Sequence, residues 1–277
     1  MKVGFIGTGS MGSILIEALI LSGALNPEQI VATNRTIEKT ERLAAAYPKL
    51  QIAHSNIDVA RSCSIIFLCI KPAEYKTVID DIKGEAGPEC IVVSITSPVM
   101  VKQLEGLLNS KIVKVIPSIT NYVFSGATLC VYGERMGEDD IELIEKLLSP
   151  ISAPIRIDER HTRICSDLSS CGPAFLAYFI QKYIEVAVQE TGISKDDATR
   201  LACEMALGTG KLLTAGGFTP EALQERVAVP GGITAEGLRI MEKELCGLFS
   251  QLIHTTHAKY EEDLEKVESR FFGTSVD

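Results

Sequence analysis

The chain has 277 residues, a formal net charge of -9 at pH 7 and 46% hydrophobic residues, the profile of a globular protein with one large or two ordinary domains. Its 27 Lys and Arg residues form no block, which argues against a nucleic-acid surface, because phosphate backbones are held by clustered cations; a small-molecule ligand is expected instead. No apolar run reaches the roughly 18 residues of a membrane span and Met1-Lys2 leads straight into a strand pattern, so no membrane partner and no signal peptide are expected, and the expected location is cytoplasmic.

The first half alternates short β-branched runs with helical patterns. KVGFI, QIVAT, SIIFLCI, CIVVSI, KIVKVI, TLCVY and PIRI read as strands, with amphipathic segments such as SILIEALILSGAL and IEKTERLAAAY between several of them. This predicts an α/β fold with an N-terminal Rossmann-like, doubly wound sheet over residues 1–160. From about Cys165 the strand runs stop and long helical patterns take over, punctuated by Gly192, Gly216-Gly217 and Pro230-Gly231-Gly232, predicting an all-helical domain over 161–277 that ends in a short frayed tail.

Gly7, Gly9 and Gly12 follow the first strand and open a helix. Gly7 allows the tight turn, Gly9 lets backbone approach a pyrophosphate, and Gly12 packs the helix on the sheet, while N–H groups around Ser10 and Met11 face the anion. The end of the second strand selects the coenzyme. It reads Thr33-Asn34-Arg35-Thr36, with no carboxylate for a ribose 2′-hydroxyl, an Arg to pair with a 2′-phosphate and Asn34 and Thr36 to donate to it; NADP (NADPH) is favoured and NAD less so. Cys69-Ile70-Lys71-Pro72 and the Ser94–Pro98 stretch lie at carboxyl ends of strands, where open α/β sheets bind ligands. Pro72 stiffens the first of them, and Lys71 reads equally well as a cofactor contact or a solvated loop lysine.

Farther on, Gly172-Pro173 is expected to kink the first long helix. Pro230-Gly231-Gly232-Ile233-Thr234, just before the last helix, offers N–H groups, a hydroxyl and a positive dipole end to a small carboxylate; an ordinary N-cap with Thr234 satisfying its own backbone is the alternative. Eight cysteines without CxxC or Cys/His spacing read as buried small hydrophobes in a reducing compartment. His254 and His257 share a helical face without a third ligand, so they read as surface residues and no metal is expected. The wide apolar faces of the last helices predict a homodimer.

GFIGTGSMG, the TNRT turn, His54-Ser55-Asn56, the strand ending IKP, Ser170–Phe175 and Pro230–Thr234 occur in the order and spacing of pyrroline-5-carboxylate reductases, and the chain resembles that family over essentially its whole length. The resemblance implies reduction of the cyclic imine 1-pyrroline-5-carboxylate to L-proline with NAD(P)H, the last step of proline biosynthesis, by a Rossmann domain and a helical domain that forms dimers and larger rings. It implies cofactor roles for the 7–12 loop, Asn34, Arg35, Asn56, residues 69–72, Ser94 and Thr96, and a role in holding the carboxylate of a small imine acid for Gly231, Gly232 and Thr234. A protonated imine carbon is already electrophilic, so positioning suffices and no general acid or base is assigned.

The chain departs from the family at Ile116-Pro117-Ser118-Ile119-Thr120, where members read Met-Pro-Asn-Thr-Pro, at Ser97-Pro98, where they read Ala-Gly, and at Val229, where serine is usual. Asn to Ser removes an amide, and Ala-Gly to Ser-Pro removes an N–H and restricts φ. The pattern is similar to the ComER-type subgroup associated with competence and sporulation in some bacteria. Two further readings stand beside the reductase: a regulatory paralogue that binds NADP without turnover, and a hydroxyacid dehydrogenase using Lys182.

Overall fold

The computed structural model describes residues 1–273, and the frayed tail expected at the end lies outside them. Two compact units emerge, one formed by Met1–Gly172 with the segment from Thr256 onward, the other by Pro173–Thr255.

The first unit begins β1 (Val3–Ile6), α1 (Ser10–Leu21), β2 (Ile30–Thr33), α2 (Ile37–Ala46), β3 (Gln51–Ile52), α3 (Asn56–Ser62) and β4 (Ile65–Leu68). It continues α4 (Tyr75–Ile82), β5 (Ile91–Ser94), α5 (Val101–Leu107), β6 (Lys111–Ile116), β7 (Ala127–Tyr132), α6 (Glu138–Leu148), β8 (Ala153–Arg156) and α7 (Thr162–Ser166). The eight strands form one sheet in the order β3-β2-β1-β4-β5-β6-β7-β8. All pairs are parallel except β6 with β7, which is antiparallel.

Alternation along the strands builds a core on each face of the sheet. Phe5 of β1 and Phe67 of β4 stack at 4.9 Å in one core, while their neighbours Ile6, Ile66 and Leu68 fill the other. Fully burying such a side chain stabilises by about 1.5–3 kcal/mol, so the near-continuous apolar runs of β1, β4 and β5 are the sequence signature of a doubly covered parallel sheet. The strand order reverses at β1 and β4, which makes their carboxyl ends the topological switch point where ligands bind.

The strand-rich part ends at β8, but the first unit runs on through Gly172. An α-helical turn over α7 passes into a π-helical turn, Asp167–Cys171, and then α8 (Gly172–Thr191). Pro173 therefore sits just past a wide turn instead of kinking a regular helix. Its missing N–H leaves the carbonyl of Ser169, four residues back, without the usual helical donor. That carbonyl accepts from the Ser118 hydroxyl at 3.0 Å instead.

The second unit holds most of α8, then α9 (Lys195–Thr214) and α10 (Pro220–Val227), and the start of α11 (Ile233–Phe272). Ser194 and Thr219 cap α9 and α10 by accepting from Asp197 N and Ala222 N. Its own core is small: Ile184, Ala198 and Ala202 are buried, while Leu176, Tyr178, Phe179, Tyr183, Leu201 and Phe249 stay exposed. Among the described residues, no helix is long and apolar enough to cross a membrane.

Candidate functional site

The glycine loop explains its own residues. Gly7 has φ +101, and a Cβ there would run into the Cys69 carbonyl; a Cβ on Gly12 would strike the Gly7 carbonyl. Both contacts are consequences of the switch point, where Cys69 N donates to Ile6 O and Gly7 N to Thr33 O, each at 2.8 Å. Gly9 differs, since a Cβ there would meet nothing within 4 Å. It is the N-cap of α1 and brings no capping side chain, so the first-turn N–H groups at Ser10, Met11 and Gly12 have no intrahelical acceptor. The Thr8 hydroxyl is buried without a partner. An anionic group at the loop would satisfy both deficits, which is the fit a dinucleotide pyrophosphate requires.

A cleft of about 340 Å³ opens beside this loop, lined by Thr8, Gly9, Ser10, Ser13, Glu17, Lys39, Arg42 and Leu43. Lys39 and Arg42 stand three residues apart on α2, on one face, and neither makes an ion pair among the described residues. Sequence reasoning passed over both, although two cations at that spacing directly after TNRT are a legible signal for an anionic ligand.

The expected 2′-phosphate residues are arranged less simply. Asn34 accepts from Thr8 N at 3.1 Å and donates to Thr36 O at 2.9 Å, so its amide braces the two loops. Arg35 reaches across to Glu74, 2.8 Å away, with 88% of its side chain exposed. Glu74 stands there because Pro72 starts a 3-10 turn, Pro72–Glu74, closed by Glu74 N donating to Lys71 O. Lys71 itself is exposed and Ile70 half-buried. Thr36 caps α2 without a side-chain bond. Asn56, in the first turn of α3 behind the Ser55 cap, donates to Asp81.

At the carboxyl ends of β4 to β6, buried polar groups tie neighbouring strands together. The Tyr75 hydroxyl, fully buried, donates to Leu68 O at 3.0 Å and lies 3.0 Å from Ser94 Oγ, and burial pushes both this phenol and the Cys69 thiol well up. One strand over, Lys114 Nζ donates to the Ser97 carbonyl at 3.0 Å and pairs with Glu159 at 2.6 Å, with none of its side chain exposed. Burial lowers the Lys114 pKa while Glu159 pulls it up. The Tyr260 hydroxyl, from α11, donates to the same Ser97 carbonyl. Ser118 is also buried, donating to Ser169 O and accepting from Thr120 Oγ1 at 2.9 Å.

In the second unit, Gly231 has φ +72 and Gly232 N donates to Val229 O, which forms the tight turn before α11. Thr234 lies in the first turn of α11 instead of at its cap, and its hydroxyl has no partner among the described residues. Lys182 is held by Glu185 at 2.7 Å and lies over the Tyr178 ring. His254 is exposed, but His257 is not a plain surface residue: its Nε2 is shielded and 4.0 Å from the Asp167 carboxylate. No group of metal ligands occurs among the described residues.

Comparison with known proteins gives two family models, pyrroline-5-carboxylate reductase dimerisation over residues 159–263 and NADP oxidoreductase, coenzyme F420-dependent, over residues 2–98. The chain is 41% identical to ComE operon protein 4 of Bacillus subtilis across 98% of its own length and 99% of that protein. It is 31% identical to pyrroline-5-carboxylate reductase 3 of Mus musculus, covering 87% and 88%. Among solved structures, a Coxiella burnetii pyrroline-5-carboxylate reductase shares the fold with a TM-score of 0.83 at 23% identity, covering 97% and 98%. The Plasmodium falciparum enzyme, solved with NADP bound, gives 0.80 at 24% identity and covers 98% of each chain.

Proposed function

The chain belongs to the pyrroline-5-carboxylate reductase family, and on that footing we propose that it reduces 1-pyrroline-5-carboxylate to L-proline with NADPH in the cytoplasm. The observation that carries the reading is the glycine loop, whose open face at Gly9 and unsatisfied Thr8 hydroxyl fit a pyrophosphate in a chain related to these reductases over most of its length. NADPH, when bound, supplies the hydride. The residues of the chain bind and orient. Gly7, Thr8, Gly9, Ser10, Met11 and Gly12 hold the pyrophosphate; Arg35, Lys39 and Arg42 take the 2′-phosphate side; Asn34 and Thr36 shape the turn between them; and Asn56 completes the adenosine end. Cys69, Ile70, Lys71, Pro72, Ser94 and Thr96 form the edge along the nicotinamide half.

Gly231, Gly232 and Thr234 hold the substrate carboxylate through N–H groups, a free hydroxyl and the dipole of α11. The imine acid needs orientation more than acid catalysis, because protonation already makes its ring carbon electrophilic. The exposed apolar faces of the second unit and the match to a dimerisation model support a homodimer. Light scattering of the purified protein reads both the dimer and any larger ring; a monomeric mass would refute the assembly.

A second reading, an NADPH-binding regulator without turnover, is favoured by one observation: Ser118, at a family departure, spends its hydroxyl inside the fold on Ser169 O. The two separate in one experiment, NADPH binding measured beside NADPH oxidation with pyrroline-5-carboxylate. Substrate-dependent oxidation supports the reductase, and binding without it sinks that reading in favour of the regulator.

A further inference from the structure

Lys114 is the largest charged side chain in the fully buried set. It lies in the middle of an apolar strand, in register with Ser94 of β5. An ammonium buried this way carries a heavy desolvation cost that its partner Glu159, at 2.6 Å, offsets only in part. An apolar residue of the same length would pack equally well, so the ammonium is explained by what it donates to. Its acceptors besides Glu159 are the Ser97 carbonyl at 3.0 Å and the Met100 sulfur at 3.9 Å, and the carbonyl is the shorter of these two contacts.

The peptide that carries this carbonyl is Ser97-Pro98, which has no N–H. Its carbonyl is therefore its only hydrogen-bonding handle, and two donors from separate elements grip it, Lys114 Nζ at 3.0 Å and Tyr260 Oη at 3.1 Å. Glu159 extends the clamp by accepting from Val101 N, at the start of α5, at 2.9 Å. The turn after β5 is thus held at Ser97 and at Val101, while the Ser97 hydroxyl itself stays buried and unpartnered.

We propose that Lys114 is a positioning residue for the nicotinamide half of the cofactor, acting through the Ser97 carbonyl to set the Thr96–Ser97 edge. The proposal rests on the reading of residues 94–97 as that edge. Lys114 touches neither cofactor nor substrate in this role.

The test uses the full-length protein and two probes, NADPH and an adenosine bisphosphate that carries the 2′-phosphate but no nicotinamide. Lys114→Met is expected to weaken NADPH about fivefold or more, with the bisphosphate held within about twofold and the fluorescence of bound reduced nicotinamide shifted toward its value in water. Because Lys114→Met leaves Glu159 unpaired and lowers the melting temperature, the double variant Lys114→Met/Glu159→Gln is measured beside it. Gln still accepts from Val101 N, so the double variant should regain stability without regaining NADPH affinity. Equal losses for both probes, or a double variant that restores NADPH along with stability, would overturn the proposal. Wild-type protein that binds NADPH but leaves pyrroline-5-carboxylate unreduced would end the reductase reading and leave this comparison standing.

Discussion

Glu74→Gln is expected to tighten NADPH and leave NADH alone, an unusual direction for removing an ion-pair partner. Glu74 occupies the guanidinium that a 2′-phosphate would use, at 2.8 Å, with 35% of its side chain exposed. An exposed pair of this kind contributes about 0–1 kcal/mol, which the phosphate must displace. The carboxylate also repels the incoming group. For a phosphate of charge about -2 placed about 6 Å away in a water-like dielectric, the repulsion is about 1.4 kcal/mol, and physiological salt roughly halves it. Together the two effects come to about 1–1.5 kcal/mol, or about 5- to 12-fold in affinity for NADPH.

NADH has no 2′-phosphate and should shift by less than about twofold. Fluorescence titrations of both coenzymes at low and high salt read all of this at once, since the gain must shrink as salt rises. Arg35→Ala supplies the control by weakening NADPH far more than NADH. If Glu74→Gln shifts both coenzymes equally, or Arg35→Ala weakens both equally, the 2′-phosphate does not lie at this pair and the reasoning fails.

Lys39→Ala and Arg42→Ala should each weaken NADPH by about 3- to 30-fold, with steeper salt dependence in the wild type than in either variant; unchanged titrations would take α2 out of the anion site. Ser118→Ala should cost about 1–3 kcal/mol in urea unfolding, because it strands the Ser169 carbonyl. Ser118→Asn should also destabilise, since the side chain has no exposed surface into which a larger one can grow; a neutral result for both would remove Ser118 as the group that satisfies the Ser169 carbonyl. Burial pushes the Cys90 thiol up to about 12 and the Cys130 thiol up to about 11. At pH 8 about one Cys130 in a thousand would then be thiolate, and both residues should resist a thiol reagent until the protein unfolds. Rapid labelling of either in the native state would contradict the packing of the two cores.

What was legible in the sequence was local. The apolar runs of β1, β2, β4, β5 and β6 announced a buried parallel sheet because alternation there is replaced by continuous burial, and Gly7, Gly9 and Gly12 announced their turn because each carries a different steric reason. β3 was missed, being only Gln51–Ile52 and too short to show any period. The reversed direction of β7 was equally silent, since a strand's residues do not record which way its neighbour runs.

The larger gaps are pairings over long stretches of chain. Lys114 hid inside KIVKVI as one polar letter in an apolar run, and its meaning depends on Glu159, Ser97 and Tyr260. Ser118 read as a loss, an amide shortened to a hydroxyl, whereas the fold uses that hydroxyl to satisfy a carbonyl that Pro173 cannot serve. Ser97-Pro98 read as a loss too, and there the missing N–H coincides with two donors on the remaining carbonyl. At Ser118 the shorter side chain donates to a distant carbonyl, and at Ser97-Pro98 the remaining carbonyl accepts from two distant donors, so each substitution belongs to a set of residues whose members only the fold brings together. If the sets are units, Ser118→Asn alone leaves the Ser169 carbonyl without its donor, and reverting either set must include its distant partner.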